Sequence, residues 1–151
     1  MDQKTSRDLT TSRLLSRIRA AGSPQEAVAW HDAYGDPLLK DTLYMLMQKN
    51  ALQPRDVILE CGLERSYFYH ILSGHKRPSR NMMLRIGFCV RADYEEMNHL
   101  LRLSGVSSLY PRIRRDALII YAIQQKLSME AANALLAEQG EVPLYREETH
   151  A

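Results

Sequence analysis

The stretch from Gln53 to Arg80, QPRDVILECGLERSYFYHILSGHKRPSR, constrains this chain more than any other. Pro54 suits the first turn of a helix, where its missing N–H leaves no hydrogen bond unmade. Val57, Ile58 and Cys61 follow as an apolar stripe at helical spacing, and Gly62 predicts a stop. After that turn, Phe68, Ile71 and Leu72 make a second stripe, closed by Ser73-Gly74. Between the buried positions the second helix leaves Arg65, Ser66, Tyr67, Tyr69 and His70 for solvent or a partner. A basic loop, His75-Lys76-Arg77-Pro78, leads out of it, and the rest of the chain is arranged around this pair of helices.

A chain of 151 residues fits one domain, or a small domain with appendages, and can bury a substantial core. No apolar run approaches the roughly 18 residues of a membrane span. The Met1-Asp2-Gln3-Lys4 start carries no signal-peptide pattern, so a cytoplasmic protein with no membrane partner is expected. Cys61 and Cys89 both stand among apolar residues on predicted helices, which predicts buried free thiols. The net charge is only +2, but its distribution is uneven. From Pro54 to Arg91 there are seven basic and three acidic residues, a net +4, whereas the segment from Ala92 onward carries −3 and the first 53 residues +1. Positive charge gathers on the second helix of the pair and its exit loop.

Along the chain, a helix is predicted from Thr5 to Ala20, with Leu14, Leu15 and Ile18 on one side and Gly22 as its stop. Ser23-Pro24-Gln25-Glu26 reads as a capping box opening a second helix that breaks at Tyr34-Gly35. Residues 1–35 are expected to form an N-terminal helical appendage packed on the main domain, with Trp30 as a candidate partner or dimer contact. Asp36-Pro37 predicts the start of a helix whose stripe is Leu39, Leu43, Leu46 and Met47. Beyond the central stretch, Ser79 caps a helix with Met83, Leu84, Gly87, Phe88 and Val90 as core. Asp93-Tyr94-Glu95-Glu96 opens another, with Met97, Leu100 and Leu101 buried and a stop at Ser104-Gly105. Leu109-Tyr110-Pro111 introduces a longer helix with Ile113, Ala117, Ile120, Tyr121 and Ile123 apolar. Arg112, Arg114 and Arg115 near its start oppose the helix dipole. Either Asp116 and other acids pair with them, or they contact phosphate or an acidic partner. Ser128 caps a last helix with Ala132, Leu135 and Leu136, and the tail from Glu141 is expected to fray. No strand pattern and no repeat occurs, so the fold is expected to be all-α.

The central pair has the layout of a helix-turn-helix, whose second helix enters the DNA major groove. Residues from about Leu38 to Gly105 resemble the XRE/Cro family of helix-turn-helix regulators. The matching residues are Arg55-Asp56-Val57-Ile58, then Cys61-Gly62-Leu63, then Glu64 to Leu72, and the exit Ser73-Gly74-His75-Lys76-Arg77-Pro78-Ser79. The resemblance implies a lambda repressor-like five-helix domain over 36–106, with additional flanking helices. The C-terminal helical extension over 107–151 resembles one seen on some members of the family, and its helices are the candidate dimer, partner or signal part. The family resemblance also implies roles by position. Arg65, Ser66, Tyr69 and His70 would read bases, and Arg55, Tyr67, Lys76, Arg77 and Arg80 would hold phosphates or the sugar backbone. The implied partners are double-stranded DNA and a second copy of the chain.

Three departures from the family pattern stand out. Ile58 replaces a usual small residue, Glu64 replaces the usual small polar cap, and Tyr67-Phe68-Tyr69 makes the helix aromatic. The aromatic helix keeps open an alternative, a protein-interaction adaptor binding a protein partner through these tyrosines or through Arg112, Arg114 and Arg115. An enzyme is not expected. His70 and His75 are five apart, Cys61 and Cys89 are 28 apart without a CxxC pair, and no phosphate loop or apolar carboxylate pair occurs. Neither a metal nor another cofactor is implied.

Overall fold

The structure, a computed structural model, describes residues 9–146. Among them the secondary structure is entirely helical, with nine helices and no strand. The chain divides into two compact units, Met1–Pro37 and Leu38–Ala151.

In the first unit, α1 (Thr11–Arg19) begins later than expected, because Thr10 is extended and its hydroxyl accepts the Arg13 N–H at 3.2 Å. The expected helical residues Thr5 to Asp8 lie outside the described residues. Helix α2 (Pro24–Tyr34) starts at Pro24 as expected, with the Ser23 hydroxyl accepting the Glu26 N–H at 3.1 Å. The Glu26 carboxylate accepts from Gly22 N–H at 2.9 Å, one residue before the position a capping box uses. Trp30 is half-buried within this unit, stacked on Tyr34 at 5.7 Å and covered by the Arg17 guanidinium at 5.4 Å. Neither helix has a fully buried residue.

The second unit holds α3 (Leu39–Lys49), α4 (Pro54–Cys61), α5 (Arg65–Leu72), α6 (Arg80–Cys89), α7 (Tyr94–Leu103), α8 (Arg114–Gln124) and α9 (Met129–Glu138). Helix α3 does not start at Asp36-Pro37: Leu38 is still extended (φ −67°, ψ 147°) and provides no side-chain cap. Its inward face is Leu43, Leu46 and Met47, with Leu39 half-buried beside them. Helix α4 ends at Gly62, whose φ of +64° is open to glycine at little cost and turns the chain sharply into α5. Phe68, Ile71 and Leu72 anchor α5 in the core. Helix α6 is the most enclosed element, burying Met83, Leu84, Ile86, Gly87, Phe88 and Cys89. A β-carbon on Gly87 would run into the Met97 thioether, so glycine lets α6 and α7 approach closely. Asp93 and Glu96 form the expected reciprocal cap at the start of α7, at 2.8 and 3.0 Å.

The segment after Gly105 belongs to the same compact unit, and its buried Leu109, Ile119, Ala122, Met129, Ala132 and Leu136 join one core with α3–α7. Helix α8 turns a different face inward than its apolar pattern suggested. Asp116, Ile119, Ala122 and Ile123 are buried, while Ile113 and Tyr121 are about half exposed, at 51% and 53%. The reason is electrostatic. The Asp116 carboxylate accepts two hydrogen bonds from Arg80, at 2.9 and 3.1 Å, and one from the Tyr110 N–H at 2.9 Å, which fixes the helix rotation.

The expected fraying from Glu141 does not hold for residues 141–146. The Asn133 side chain accepts the N–H groups of Leu144 and Tyr145 (2.7 and 3.2 Å) and donates to the Tyr145 carbonyl (3.0 Å), and Leu144 is buried. Residues 147–151 lie outside the described residues. Asn133→Ala leaves the buried Leu144 N–H without an acceptor, so a loss of about 1–3 kcal/mol is expected in denaturant titration. A change below a few tenths would contradict this clasp.

Candidate nucleic-acid interface

The outer face of α5 follows from what its inner face buries. With Phe68, Ile71 and Leu72 turned inward, helical spacing sends Arg65, Ser66, Tyr69 and His70 outward, and all four are exposed. They form a connected surface. The Arg65 guanidinium lies over the Tyr69 ring at 5.8 Å, and the His70 and His75 rings lie 6.2 Å apart, tilted by 52°. The Lys76 N–H donates to the His70 carbonyl at 3.1 Å, which folds the exit loop back on the end of α5. The Ser73 hydroxyl bridges the same turn, donating to the His70 carbonyl at 3.1 Å and meeting His75 Nδ1 at 2.7 Å.

Glu64 stands at the N-cap of α5 without capping it; its carboxylate instead accepts from the Ser66 hydroxyl at 2.7 Å. The first N–H groups of α5 therefore lack a side-chain cap, and a helix start of this kind favours an anion. The same bond holds the Ser66 hydroxyl along the helix start.

The expected phosphate-holding residues divide into two groups. Arg55, Lys76 and Arg77 are exposed, and among the described residues their side chains have no hydrogen-bond or ion-pair partner. Arg77 reaches toward Gly105 at the end of α7. Arg80 does not fit its expected role. Its Nε donates to the Ser107 carbonyl at 2.9 Å, its terminal nitrogens reach the Ser108 carbonyl at 3.2 Å and both Asp116 oxygens, and its side chain is only 24% exposed. Those donors are committed to the fold. Tyr67 is half-buried with its ring against the core, which withdraws most of it from solvent.

Among the described residues, Arg114 alone of the three arginines near α8 pairs with an acid, as one of the two expectations had it. Arg112 lies before the helix, exposed and without a hydrogen-bond or ion-pair partner among the described residues. Arg114 pairs with Glu141 at 2.8 Å and donates to the Gln139 carbonyl at 2.9 Å. Arg115 donates to the Asn81 side chain at 2.9 Å and to the carbonyls of Val142 and Pro143, at 2.8 and 3.3 Å. Burial, and then the charge of Arg80, pull the Arg115 guanidinium below its ordinary pKa. These two arginines hold the 139–143 segment in place, and Asp116 pairs with Arg80 instead of with them.

One functional-looking residue escaped sequence reasoning. Arg85 donates to the Cys61 carbonyl at 2.7 Å and lies over the Tyr145 ring at 4.8 Å, bridging the end of α4 to the C-terminal segment. No local spacing signals that role. Among the described residues, no group of three or more His, Cys, Asp or Glu side chains is placed to hold a metal, and no helix is long and apolar enough to cross a membrane. No family model matches the chain, and neither a curated protein nor a solved structure matches it significantly.

Proposed function

We propose that this chain is a sequence-specific DNA-binding regulator of the XRE/Cro type, with a lambda repressor-like arrangement of α3–α7, that reads the major groove with α5. The observation that carries the reading is the outer face of α5: a short helix after a tight glycine turn presents Arg65, Ser66, Tyr69 and His70, and an exit loop follows it whose Lys76 and Arg77 are unpaired among the described residues. Groove-facing side chains discriminate bases, while flanking cations neutralise phosphates and set register. Arg55, at the start of α4, is an exposed cation likewise without a partner among the described residues. On this reading the chain acts as a dimer on paired half-sites about 34–36 Å apart.

Selection of bound sequences from a random duplex pool tests the reading. Arg65→Ala is expected to remove about 1–3 kcal/mol of discrimination at one base pair, with a smaller relaxation for His70→Ala. Lys76→Ala is expected to weaken all sequences alike. Arg65→Ala and Lys76→Ala behaving identically across sequences would count against a base-reading role for Arg65.

A second reading, a protein-interaction adaptor, is favoured by the exposure of Tyr69 (39%) beside a stacked arginine, a pairing that protein interfaces favour. Loss of a specific protein partner on Tyr69→Ala, with no retention on DNA at low salt, would establish that reading instead.

A further inference from the structure

We propose that Cys61, Cys89 and Met129 form a binding site for a single Cu(I) ion. The three residues come from the C-terminal ends of α4 and α6 and the first residue of α9, 28 and 40 positions apart in the chain. Their sulfurs converge: both thiols donate to Met129 Sδ, Cys61 Sγ at 3.9 Å and Cys89 Sγ at 3.7 Å. All three residues are buried, and both cysteines are free.

Trigonal metal–sulfur bonds of ~2.3 Å set the sulfurs roughly 4 Å apart, close to the separations of both thiols from Met129 Sδ. Thiolate and thioether donors select soft Cu(I), and a set without imidazole or carboxylate leaves the tetrahedral demand of zinc unmet. Two thiolates around Cu(I) carry a net charge of −1, and a cation stands beside them. Arg85 donates to the Cys61 carbonyl at 2.7 Å, and its Nε is buried without a hydrogen-bond partner. A surface groove lined by Cys61, Arg85, Met129 and Tyr145 adjoins two of the three sulfur residues.

In the metal-free protein both thiols donate to Met129 Sδ and so carry their protons. Binding releases two protons to solvent, forms three sulfur–copper bonds and changes no oxidation state. This inference does not depend on the DNA reading.

The test is titration of the full chain with Cu(I), anaerobically with ascorbate as reductant, against the competing chelator bicinchoninate. One equivalent of copper is expected to leave the chelator, with a sulfur-to-copper charge-transfer band rising in the ultraviolet. Cys61→Ser and Cys89→Ser should each weaken binding roughly hundredfold, and the similarly sized Met129→Leu roughly tenfold. X-ray absorption at the copper edge of the unmutated protein tests the geometry even if a serine variant fails to fold: three sulfur neighbours are expected. Copper remaining with the chelator, equal uptake by the double serine variant, or a shell dominated by nitrogen or oxygen would overturn the proposal.

Discussion

Asp116→Ala is expected to lower the free energy of unfolding by about 3 kcal/mol, at the low end of the cost of orphaning one partner of a buried ion pair. The Asp116 carboxylate is 1% exposed and accepts both an Arg80 fork and the Tyr110 N–H, so its removal leaves three donors unmatched in a confined space. Arg80 keeps the Ser107 and Ser108 carbonyls and a quarter of its side-chain surface in water, which is why the loss falls at the low end. Replacing both partners, as Arg80→Met with Asp116→Leu, should cost far less than either removal alone, because no charge is then left unpaired. Urea titrations of the three variants measure this. A loss below about 1 kcal/mol for Asp116→Ala would mean that the pair is not formed. The pair also joins the first residue of α6, just after the basic exit loop, to the 107–116 segment. Arg80→Ala is therefore expected to lower stability while leaving the salt dependence of DNA binding unchanged.

The second large effect concerns Arg55, Lys76 and Arg77. Replacing all three by alanine is expected to weaken DNA binding roughly 10²–10³-fold per bound protomer at about 0.1 M salt and to flatten the salt dependence by roughly 2.7 in slope per protomer, because about 0.9 counterion is released per neutralised phosphate. These side chains are exposed and without hydrogen-bond or ion-pair partners among the described residues, so the fold should tolerate their loss within about half a kcal/mol. Unchanged affinity in the triple variant, with the far-ultraviolet spectrum of the folded protein, would remove this surface from the account.

What was legible in the sequence was local. Gly62, Ser79 and the Asp93–Glu96 pair act within four residues of themselves, so turn chemistry and capping read directly as helix boundaries. Phe68, Ile71 and Leu72 were legible for the same reason, since helical periodicity assigns their face. Features set by distant partners were not. Asp116 is an acid on the inward side of α8, and only its pairing with Arg80, 36 residues earlier, explains a rotation that the apolar pattern misplaced. Asn133 holds a tail whose polar composition reads as frayed. The carbonyls that hold Arg114 and Arg115 carry no sequence signature, so the sequence left open whether acids within the fold or an outside anion offset these arginines. The candidate interface was legible in the outward residues of α5, whereas the withdrawal of Arg80 and Tyr67 from it depended on the packing of the whole unit.

The most direct test of the DNA reading is the affinity of the full chain for its best-selected duplex, followed by fluorescence anisotropy from about 0.05 to 0.3 M salt. Three phosphate contacts from each protomer predict a log–log slope of roughly −3 for one protomer and about twice that for a dimer. Absence of binding at the lowest salt, or an affinity independent of salt, would contradict it.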